Sequence, residues 1–422
     1  MDQDETYGLY SYRWVVLGAF MLVGALTQLM WLNYASIMTQ TEAVMGVSEL
    51  KVTLLMTMFP LLYIPVSIPA GIIIDRKGFK YAVLLGAVLT AGFSFFRLAV
   101  TSYPLVLIGM IGISIGQPFV LNSITKTVST WFPTEESALG TGVATLSLFL
   151  GMIVAQAATP PLLEAFGGTP EHALRMVVLV YSIAAVAGAL LFALLAKPRP
   201  PKPPKRTELE LQGEDTAINW KSVRSIFGVY NFRLLLVIIF IGNGAFVGIL
   251  QLIEKIIGPK MQGSTSKAIS STAGNIGAVM VVAGVLGCVV IPMLSDKLMR
   301  RKPFLILAAV VAVPSLFLIG ALENITAIYV VSAITGFFLF SAYPLILTYA
   351  EETTGHSLAG TATSILLLLG NAGGVVLTLL MEAVKGGTGG TTGSFFWAMF
   401  MLSALFVAAL VVSFFLREKP AA

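Results

Sequence analysis

The chain has few ionisable side chains for its length. Of its 422 residues, 21 are Asp or Glu and 26 are Lys or Arg, so charged residues make up only 11% of the sequence. A soluble domain carries roughly twice this fraction, about 25%. The acidic residues lie almost entirely outside the long apolar runs. The interior is therefore nearly uncharged, and any ligand inside it must be met by aromatic rings, amides and hydroxyls.

Cysteine and histidine are also scarce. Cys288 is the only cysteine, so no intrachain disulfide can form, and we interpret it as a small apolar packing residue. The two histidines, His172 and His356, both fall in predicted loops. No His/Cys set has metal-ligand spacing, no carboxylates pair inside an apolar run, and no nucleophile stands beside a base. The sequence therefore predicts neither an enzyme nor a metal site, and we expect no cofactor.

Apolar residues take the place of the missing charge, at 57% of the chain together with 40 glycines. The hydrocarbon core of a bilayer needs about 20 apolar residues per helix. Twelve segments satisfy this length, so the sequence predicts an all-α membrane protein with twelve transmembrane helices in two six-helix halves. The segments are 14–38, 50–74, 80–100, 103–130, 136–160, 174–196, 231–257, 273–295, 302–321, 325–352, 357–381 and 393–416.

The positions of the basic residues predict the orientation. With the N-terminus in the cytoplasm, nineteen Lys and Arg residues fall inside, an excess that is typical of cytoplasmic loops. We therefore expect both termini to be cytoplasmic and the protein to lie in the plasma membrane. The net charge of +5 follows from this topology and from the anionic inner leaflet, without nucleic-acid binding. Seven basic residues fall outside: Lys51, Arg97, Arg175, Lys255, Lys260, Lys267 and Lys385.

The chain divides near its middle. Residues 197–215 are too polar and proline-rich to pack a core and predict an extended linker. After them, Trp220, Val223, Ile226 and Phe227 share one helical face, which favours a short helix on the cytoplasmic membrane surface. An ordinary linker turn is the alternative. The predicted domains are 1–196, the linker 197–230 and 231–422.

The two halves resemble each other at an offset of about 220 residues. In each half the matching residues follow a cytoplasmic loop that carries acidic side chains. Two halves related by a parallel repeat are the architecture of one large transporter class, whose substrate site lies between the halves near mid-membrane. The matching residues are Ser137, Gly140, Thr141, Leu146 and Leu148, which recur as Ser357, Gly360, Thr361, Leu366 and Leu368.

A charged motif joins the second and third segments. Residues 71–80 read GIIIDRKGFK and resemble the loop signature of the major facilitator superfamily, G-x-x-x-D-R-x-G-x-K/R, at every fixed position. Gly71 would permit close helix approach, and Asp75 with Arg76 would form a breakable cytoplasmic latch. A positive-inside loop with a turn glycine would explain the cations but not an Asp at this spacing. The resemblance implies a fold in which two halves rock about a central site.

Other charged residues at cytoplasmic helix ends could belong to the same gate. The second-half counterpart of the motif, 295–301, is degenerate because it lacks the glycine, but Asp296 and Arg300 keep its charges. Lys126 ends the fourth segment, and Glu351 and Glu352 end the tenth. The alternative is that these are helix-end residues that reach interfacial water.

Inside the segments the informative residues are polar but uncharged. Trp31 and Tyr34 lie three residues apart, so both can face one cavity. A Trp ring can attract an organic cation without a carboxylate, although lipid-facing packing is the alternative for Trp31. Buried amides either pair across helices or line a wet cavity, and both alternatives are open for each. The candidate substrate-binding residues are Gln28, Trp31, Tyr34, Gln117, Asn243, Tyr343 and Asn371.

A narrower resemblance appears in the stretches 28–34, 116–118, 126–132, 244–246 and 343–352, and in Gly360-Thr361 followed by Asn371. These stretches resemble the feline leukaemia virus subgroup C receptor-related transporters along most of the twelve segments. The resemblance implies facilitated diffusion of choline or ethanolamine, with an older association with haem. It also implies that Trp31 cages the substrate ammonium and that Gln117 contacts it.

The sequence departs from that family at three places. Asn371 stands where the family has a glutamine in the eleventh segment, and Val247 stands where a tyrosine follows Gly-Ala-Phe in the seventh. The Asn-Gln pair of the fifth segment is replaced near Leu148 and Phe149. These departures remove one predicted wall of the cation cage and shorten one amide.

The charged residues inside the apolar segments help to distinguish between competing functions. Proton-coupled carriers usually place a carboxylate in the membrane core, and anion carriers use arginines that face the pore; neither is evident, with Arg97 placed near an external helix end. We therefore predict an alternating-access uniporter, monomeric in the bilayer, for an amine or quaternary ammonium solute. The alternatives are another neutral metabolite, a haem-like compound, proton-coupled efflux, or a receptor or scaffold that does not transport.

Overall fold

The computed structural model describes residues 8–204, 220–355, 358–385 and 395–418. The predictions on His356, Ser357 and linker residues 205–219 lie outside these ranges, as do the side chains of Trp220 and Val223.

Within the described ranges the chain forms α-helices and short 3₁₀ turns, and no β-strand. The helices are α1 (Tyr12–Leu32), α2 (Met38–Met45), α3 (Glu49–Lys77), α4 (Phe79–Ser94), α5 (Tyr103–Leu121), α6 (Ser123–Trp131), α7 (Thr134–Phe166), α8 (Pro170–Leu195), α9 (Trp220–Gly228), α10 (Tyr230–Gln251), α11 (Ile253–Ile257), α12 (Ser266–Leu298), α13 (Lys302–Ala321), α14 (Ile325–Thr354), α15 (Ala359–Val384) and α16 (Phe396–Phe414).

Among the described residues, twelve helical spans are long and apolar enough to cross a bilayer, with mean hydropathies between 1.6 and 2.6. The predicted all-α fold with twelve spans is therefore confirmed, whereas the cytoplasmic placement of the termini stays a prediction. Several helices are longer than the predicted segments, notably α7 and α12 at 33 residues each. At about 1.5 Å per residue such helices exceed the roughly 30 Å hydrocarbon core. Their ends therefore extend into the interfacial regions.

The first span is broken where the sequence predicts a continuous helix over 14–38. Helix α1 ends at Leu32, a turn at Asn33 and Tyr34 follows, and a 3₁₀ turn (Ala35–Ile37) leads into α2. No proline or glycine marks this break. Broken helices in membrane proteins are tolerated where the irregular backbone is buried in protein or lines a cavity. The break lies within two residues of Trp31.

The chain separates into two compact units. The first contains Met1–Tyr34 and Gln40–Asp215, and the second contains Ala35–Thr39 and Thr216–Ala422. The first unit has a small core cluster around Ala70, Ile74, Ala82 and Phe119. The second has a larger one, in which α9 contributes the buried Ile226. The short 35–39 segment after the break thus packs with the second unit rather than with α1.

Glycines allow the closest helix contacts inside each unit. A Cβ on Gly151 would lie 2.1 Å from the carbonyl oxygen of Ala25, and one on Gly336 would lie 2.0 Å from that of Met280. Contacts this short require the absence of a side chain. Close packing over small residues is a main source of helix association in lipid, where hydrophobic burial adds little.

Gly78 alone joins α3 to α4, at φ +80° and ψ 166°. This conformation is essentially restricted to glycine, so we expect Gly78→Ala to cost about 1–3 kcal/mol of stability. Gly71→Ala is a matched control in the same motif, because no atom lies within 4 Å of a Cβ placed there. The measurement is the thermal midpoint in detergent micelles. Equal midpoints for the two variants would contradict the expectation.

Candidate functional site

Trp31 lies in the last turn of α1 and is only 5% exposed. Its indole Nε1 donates a hydrogen bond to the carbonyl oxygen of Met56 on α3, at 3.0 Å. Its ring stacks on Phe59, with centroids 5.9 Å apart and planes 23° apart. Lipid-facing packing is therefore excluded for Trp31. The hydrogen bond and the stacking fix the plane of the ring, as a cation-binding surface requires.

Gln28 and Gln117 are buried amides of the first unit that keep unused hydrogen-bonding groups. Gln28 Nε2 and Gln117 Oε1 have no hydrogen-bond partner among the described residues. Their side chains are buried, at 1% and 6% exposure. An unsatisfied buried amide costs about 1–3 kcal/mol, so these atoms are where a ligand or water would bind. Asn122 differs, because it bonds across helices with Tyr63 at 2.7 Å and Ser67 at 3.0 Å.

Arg97 is the residue that sequence reasoning missed. It lies in a 3₁₀ turn (Phe95–Leu98) at the end of α4 and is fully buried. Its guanidinium donates to Asn33 Oδ1 at 2.7 Å, Tyr34 Oη at 3.2 Å and Met30 Sδ at 3.0 Å. It also lies 4.7 Å from the centroid of the Tyr34 ring. Arg97 thus lies at a helix end as the sequence predicts, but its side chain is buried and points into the break of the first span.

The candidate residues of the second unit lie on α10, α14 and α15. Asn243 Nδ2 donates to Gly370 O on α15 at 2.8 Å, so this amide forms an interhelical bond. Asn371 Nδ2 donates to Leu367 O of its own helix at 2.9 Å. Val247 packs beside Gly374, where a Cβ would lie 3.2 Å from a Val247 methyl group. Tyr343 is half-buried against the core cluster of this unit.

At the helix ends of the second unit that are predicted to be cytoplasmic, Arg301 is the centre of an ionic network. Its guanidinium pairs with Glu352 at 2.9 Å and closely with Asp296, and its backbone N–H donates to Glu418 at 2.6 Å. Burial acts to lower the pKa of Arg301, but hydrogen bonds and charge from Glu352 and Asp296 outweigh it and raise the pKa. The pairing joins α12, α14 and the C-terminal segment. The predicted gate residues Asp296 and Glu352 therefore meet through Arg301, whereas Arg300 is exposed.

The latch predicted for Asp75 and Arg76 in the first unit stays a prediction. Asp75 and Arg76 are exposed at the end of α3. No atom of the described residues lies within 4 Å of a Cβ on Gly71, so the expectation that Gly71 permits close helix approach is wrong. Arg13 and Glu136 form an ion pair in this unit, with two parallel bonds of 3.1 Å between the starts of α1 and α7. Other residues of the predicted gate are half-buried, namely Lys126 and Glu351.

Two carboxylates of the described residues are buried, although their positions near helix ends in the sequence did not indicate burial. Glu254 accepts a hydrogen bond from the Thr39 backbone at 2.9 Å and one from Ser270 at 2.8 Å. Glu382 pairs with Lys385 at 2.6 Å. Both carboxylates are engaged with groups of this chain.

Solved structures with the same fold are membrane transporters. A bacterial homologue of the human lysosomal transporter Spinster, in an inward-facing and unoccupied conformation, matches with a TM-score of 0.78 over 98% of this chain and 100% of that chain, at 17% identity. The Major Facilitator Superfamily transporter FucP in the outward conformation matches with a TM-score of 0.65 over 95% of this chain and 99% of that chain, at 17% identity. At this identity the likeness shows the fold alone.

Sequence relatives give a narrower placement. The choline/ethanolamine transporter FLVCR1 of Felis catus is 25% identical over 96% of this chain and 73% of its own length. The choline/ethanolamine transporter FLVCR2 of Homo sapiens is 23% identical over 96% of this chain and 78% of its own length. The profile of the Major Facilitator Superfamily matches residues 16–378. The chain therefore belongs to the Major Facilitator Superfamily, as a multi-pass membrane transporter related to the FLVCR proteins.

Proposed function

We propose that this transporter moves a small amine or quaternary ammonium solute, such as choline or ethanolamine, down its gradient by alternating access in the plasma membrane. The observation that carries the proposal is Trp31, an indole that is buried, oriented and located beside a break in the first span. The π face of a desolvated Trp attracts an organic cation by about 2 kcal/mol or more. Such a ring can hold an ammonium group without a carboxylate.

Hydrogen bonding supports the same substrate class. Gln28 and Gln117 of the first unit each have a buried polar atom that finds no partner in the part of the chain that the structure describes. An amide nitrogen can donate to a substrate hydroxyl and an amide oxygen can accept from one. Choline and ethanolamine each combine an ammonium group with one hydroxyl. The unsatisfied amides therefore match the polar end of these solutes, as the names of the FLVCR relatives also favour.

The charges inside the helices support uniport. Coupling to protons uses an intramembrane group that can change its protonation state during the cycle. The two buried carboxylates, Glu254 and Glu382, lie near helix ends and are held by Ser270, the Thr39 backbone and Lys385. We therefore assign no coupling proton to either of them. The transport experiment below distinguishes uniport from the proton-coupled alternative.

The transport experiment uses the full chain in proteoliposomes and measures uptake of labelled choline along its own concentration gradient. We expect uptake to follow the choline gradient and to change by less than about twofold when a pH gradient is imposed. Unlabelled ethanolamine should compete, and a neutral sugar of similar size should not. Strong driving by the pH gradient would contradict uniport. Absence of choline and ethanolamine uptake, with a thermal shift on adding haem or a neutral metabolite, would support the alternative substrates.

A further inference from the structure

Within the described ranges, the guanidinium of Arg97 is buried without a negative partner. Its contacts among the described residues are an amide oxygen, a phenol oxygen, a thioether sulfur and an aromatic face, and none of them is a carboxylate. Removing an ion from water costs several kcal/mol unless an opposite charge or a full set of hydrogen bonds compensates it. Arg97 has five N–H donors, and one of its three acceptors is a weakly accepting sulfur. One positive charge is therefore left uncompensated in this cluster.

The neighbours of Arg97 add further donors. Asn33 accepts from Arg97 with its oxygen, and its Nδ2 has no partner among the described residues. Tyr34 accepts from Arg97 with its oxygen, which leaves its phenolic proton to donate. Asn33 and Tyr34 are both 0% exposed. The cluster of Arg97, Asn33 and Tyr34, which we name the Arg97 cluster, thus presents three donor groups and a single positive charge.

The surrounding packing holds the arginine in place. Gly109 on α5 leaves space for the arginine stem, because a Cβ there would lie 2.7 Å from Arg97 Cγ. The cluster also lies at the broken part of the first span, between α1 and the turn that leads to α2. Transporters of small solutes place ion and substrate contacts at such discontinuous helices. A preorganised arginine at a helix break is suited to hold an anionic group.

We propose that the Arg97 cluster binds a monovalent anion, which is either a free halide or the carboxylate of a zwitterionic solute. Tyr34, which contacts Arg97 at 3.2 Å, follows Trp31 by three residues, the spacing that brings side chains to one side of a helix. A solute with both charges could therefore place a quaternary ammonium on the indole and a carboxylate on Arg97. The zwitterionic source rests on the proposed function of Trp31, whereas the halide source does not. The charge of the cluster, +1, selects a monovalent group over a divalent one.

The test measures the thermal midpoint of the full chain in detergent at constant ionic strength. One arm compares sodium chloride and bromide with sodium methanesulfonate, whose anion is bulkier. The other arm compares glycine betaine with choline, which share a trimethylammonium group and differ in a carboxylate against a hydroxymethyl group. We expect chloride or glycine betaine to raise the midpoint by about 2–4 °C. A halide effect alone identifies a free anion, and an effect of glycine betaine beyond that of choline identifies the solute.

Asn33→Asp is the decisive variant, because it supplies a carboxylate at the 2.7 Å contact with Arg97. We expect this variant to keep or raise the midpoint without added anion and to lose the anion response. Asn324→Asp is the matched control, since Asn324 is an exposed residue that caps α14, and its anion response should equal that of the wild type.

The proposal is overturned if the midpoint is the same in all salts and glycine betaine has no greater effect than choline. It is also overturned if Asn33→Asp keeps the full anion response. A choline-induced shift that persists in either case leaves the proposed function standing. If choline does not raise the thermal midpoint but a halide does, the result contradicts the proposed function and leaves the anion site standing.

Discussion

Choline uptake into proteoliposomes is expected to fall at least tenfold when Trp31 is replaced with alanine. The indole face is the group that the proposed function assigns to the ammonium, and a desolvated cation–π contact contributes about 2 kcal/mol. A change of 1.4 kcal/mol is about tenfold in affinity. The loss should appear mainly in the substrate concentration needed for half-maximal uptake.

Trp31→Ala also removes a buried ring that stacks on Phe59 and bonds to Met56. Such truncations cost about 3–5 kcal/mol of stability, so the thermal midpoint must be measured beside the uptake. Trp31→Phe separates the two effects, because it keeps an aromatic ring at the Phe59 contact and loses the indole. We expect this variant to fold and to show an intermediate loss of affinity for choline.

Trp397→Ala is the control for tryptophan removal in general. Trp397 lies on α16 and is 55% exposed in the protein, so that its ring is available to lipid. Uptake by this variant should stay within about twofold of the wild type, since exposed substitutions seldom change stability by more than 0.5 kcal/mol. A folded Trp31→Ala protein with unchanged uptake, or an equal loss for Trp397→Ala, would remove Trp31 from the proposed site.

The spans were predictable from the sequence because length and apolarity alone decide whether a helix can cross the bilayer. The break in the first span was not predictable from the sequence. The break after Leu32 has neither proline nor glycine, and the side chains around it include a buried arginine from another helix. Sequence patterns report local preference, whereas the groups that meet at this break come together only in the tertiary structure.

Charged residues show the same limit. Arg97 looks like an interfacial cation in the sequence, because it stands near the end of an apolar segment and beside a loop. Its burial follows from the packing of α5 over it at Gly109. At the helix ends of the second unit, the sequence indicated the gate acids Asp296 and Glu352 but predicted Arg300 as their basic partner, whereas the structure shows Arg301. The choice depends on where the helix ends, at Leu298, with Met299 in a left-handed conformation, and such boundaries are uncertain by a few residues.

We expect Gly151→Ala to destabilise the first unit more than a methyl group added at any other position of α7. A Cβ at Gly151 would lie 2.1 Å from the carbonyl oxygen of Ala25 and 2.9 Å from its Cα. Backbone atoms cannot move aside as a flexible side chain can, so α1 and α7 must separate. Overpacking of this kind costs about 1–3 kcal/mol, and the opened backbone contact in lipid adds to that cost.

The matched control lies on the same helix, nine residues earlier in the chain. Gly142 is exposed, and no atom lies within 4 Å of a Cβ placed there. Gly142→Ala should therefore be neutral or stabilising by up to about 1 kcal/mol, because alanine is the better helix former. Thermal midpoints in detergent would give the difference directly, and a midpoint for Gly151→Ala at or above that of Gly142→Ala would contradict the close contact. Since Ala25 lies on the helix that carries Gln28 and Trp31, Gly151→Ala should also weaken choline uptake in the protein that does fold, whereas Gly142→Ala should not.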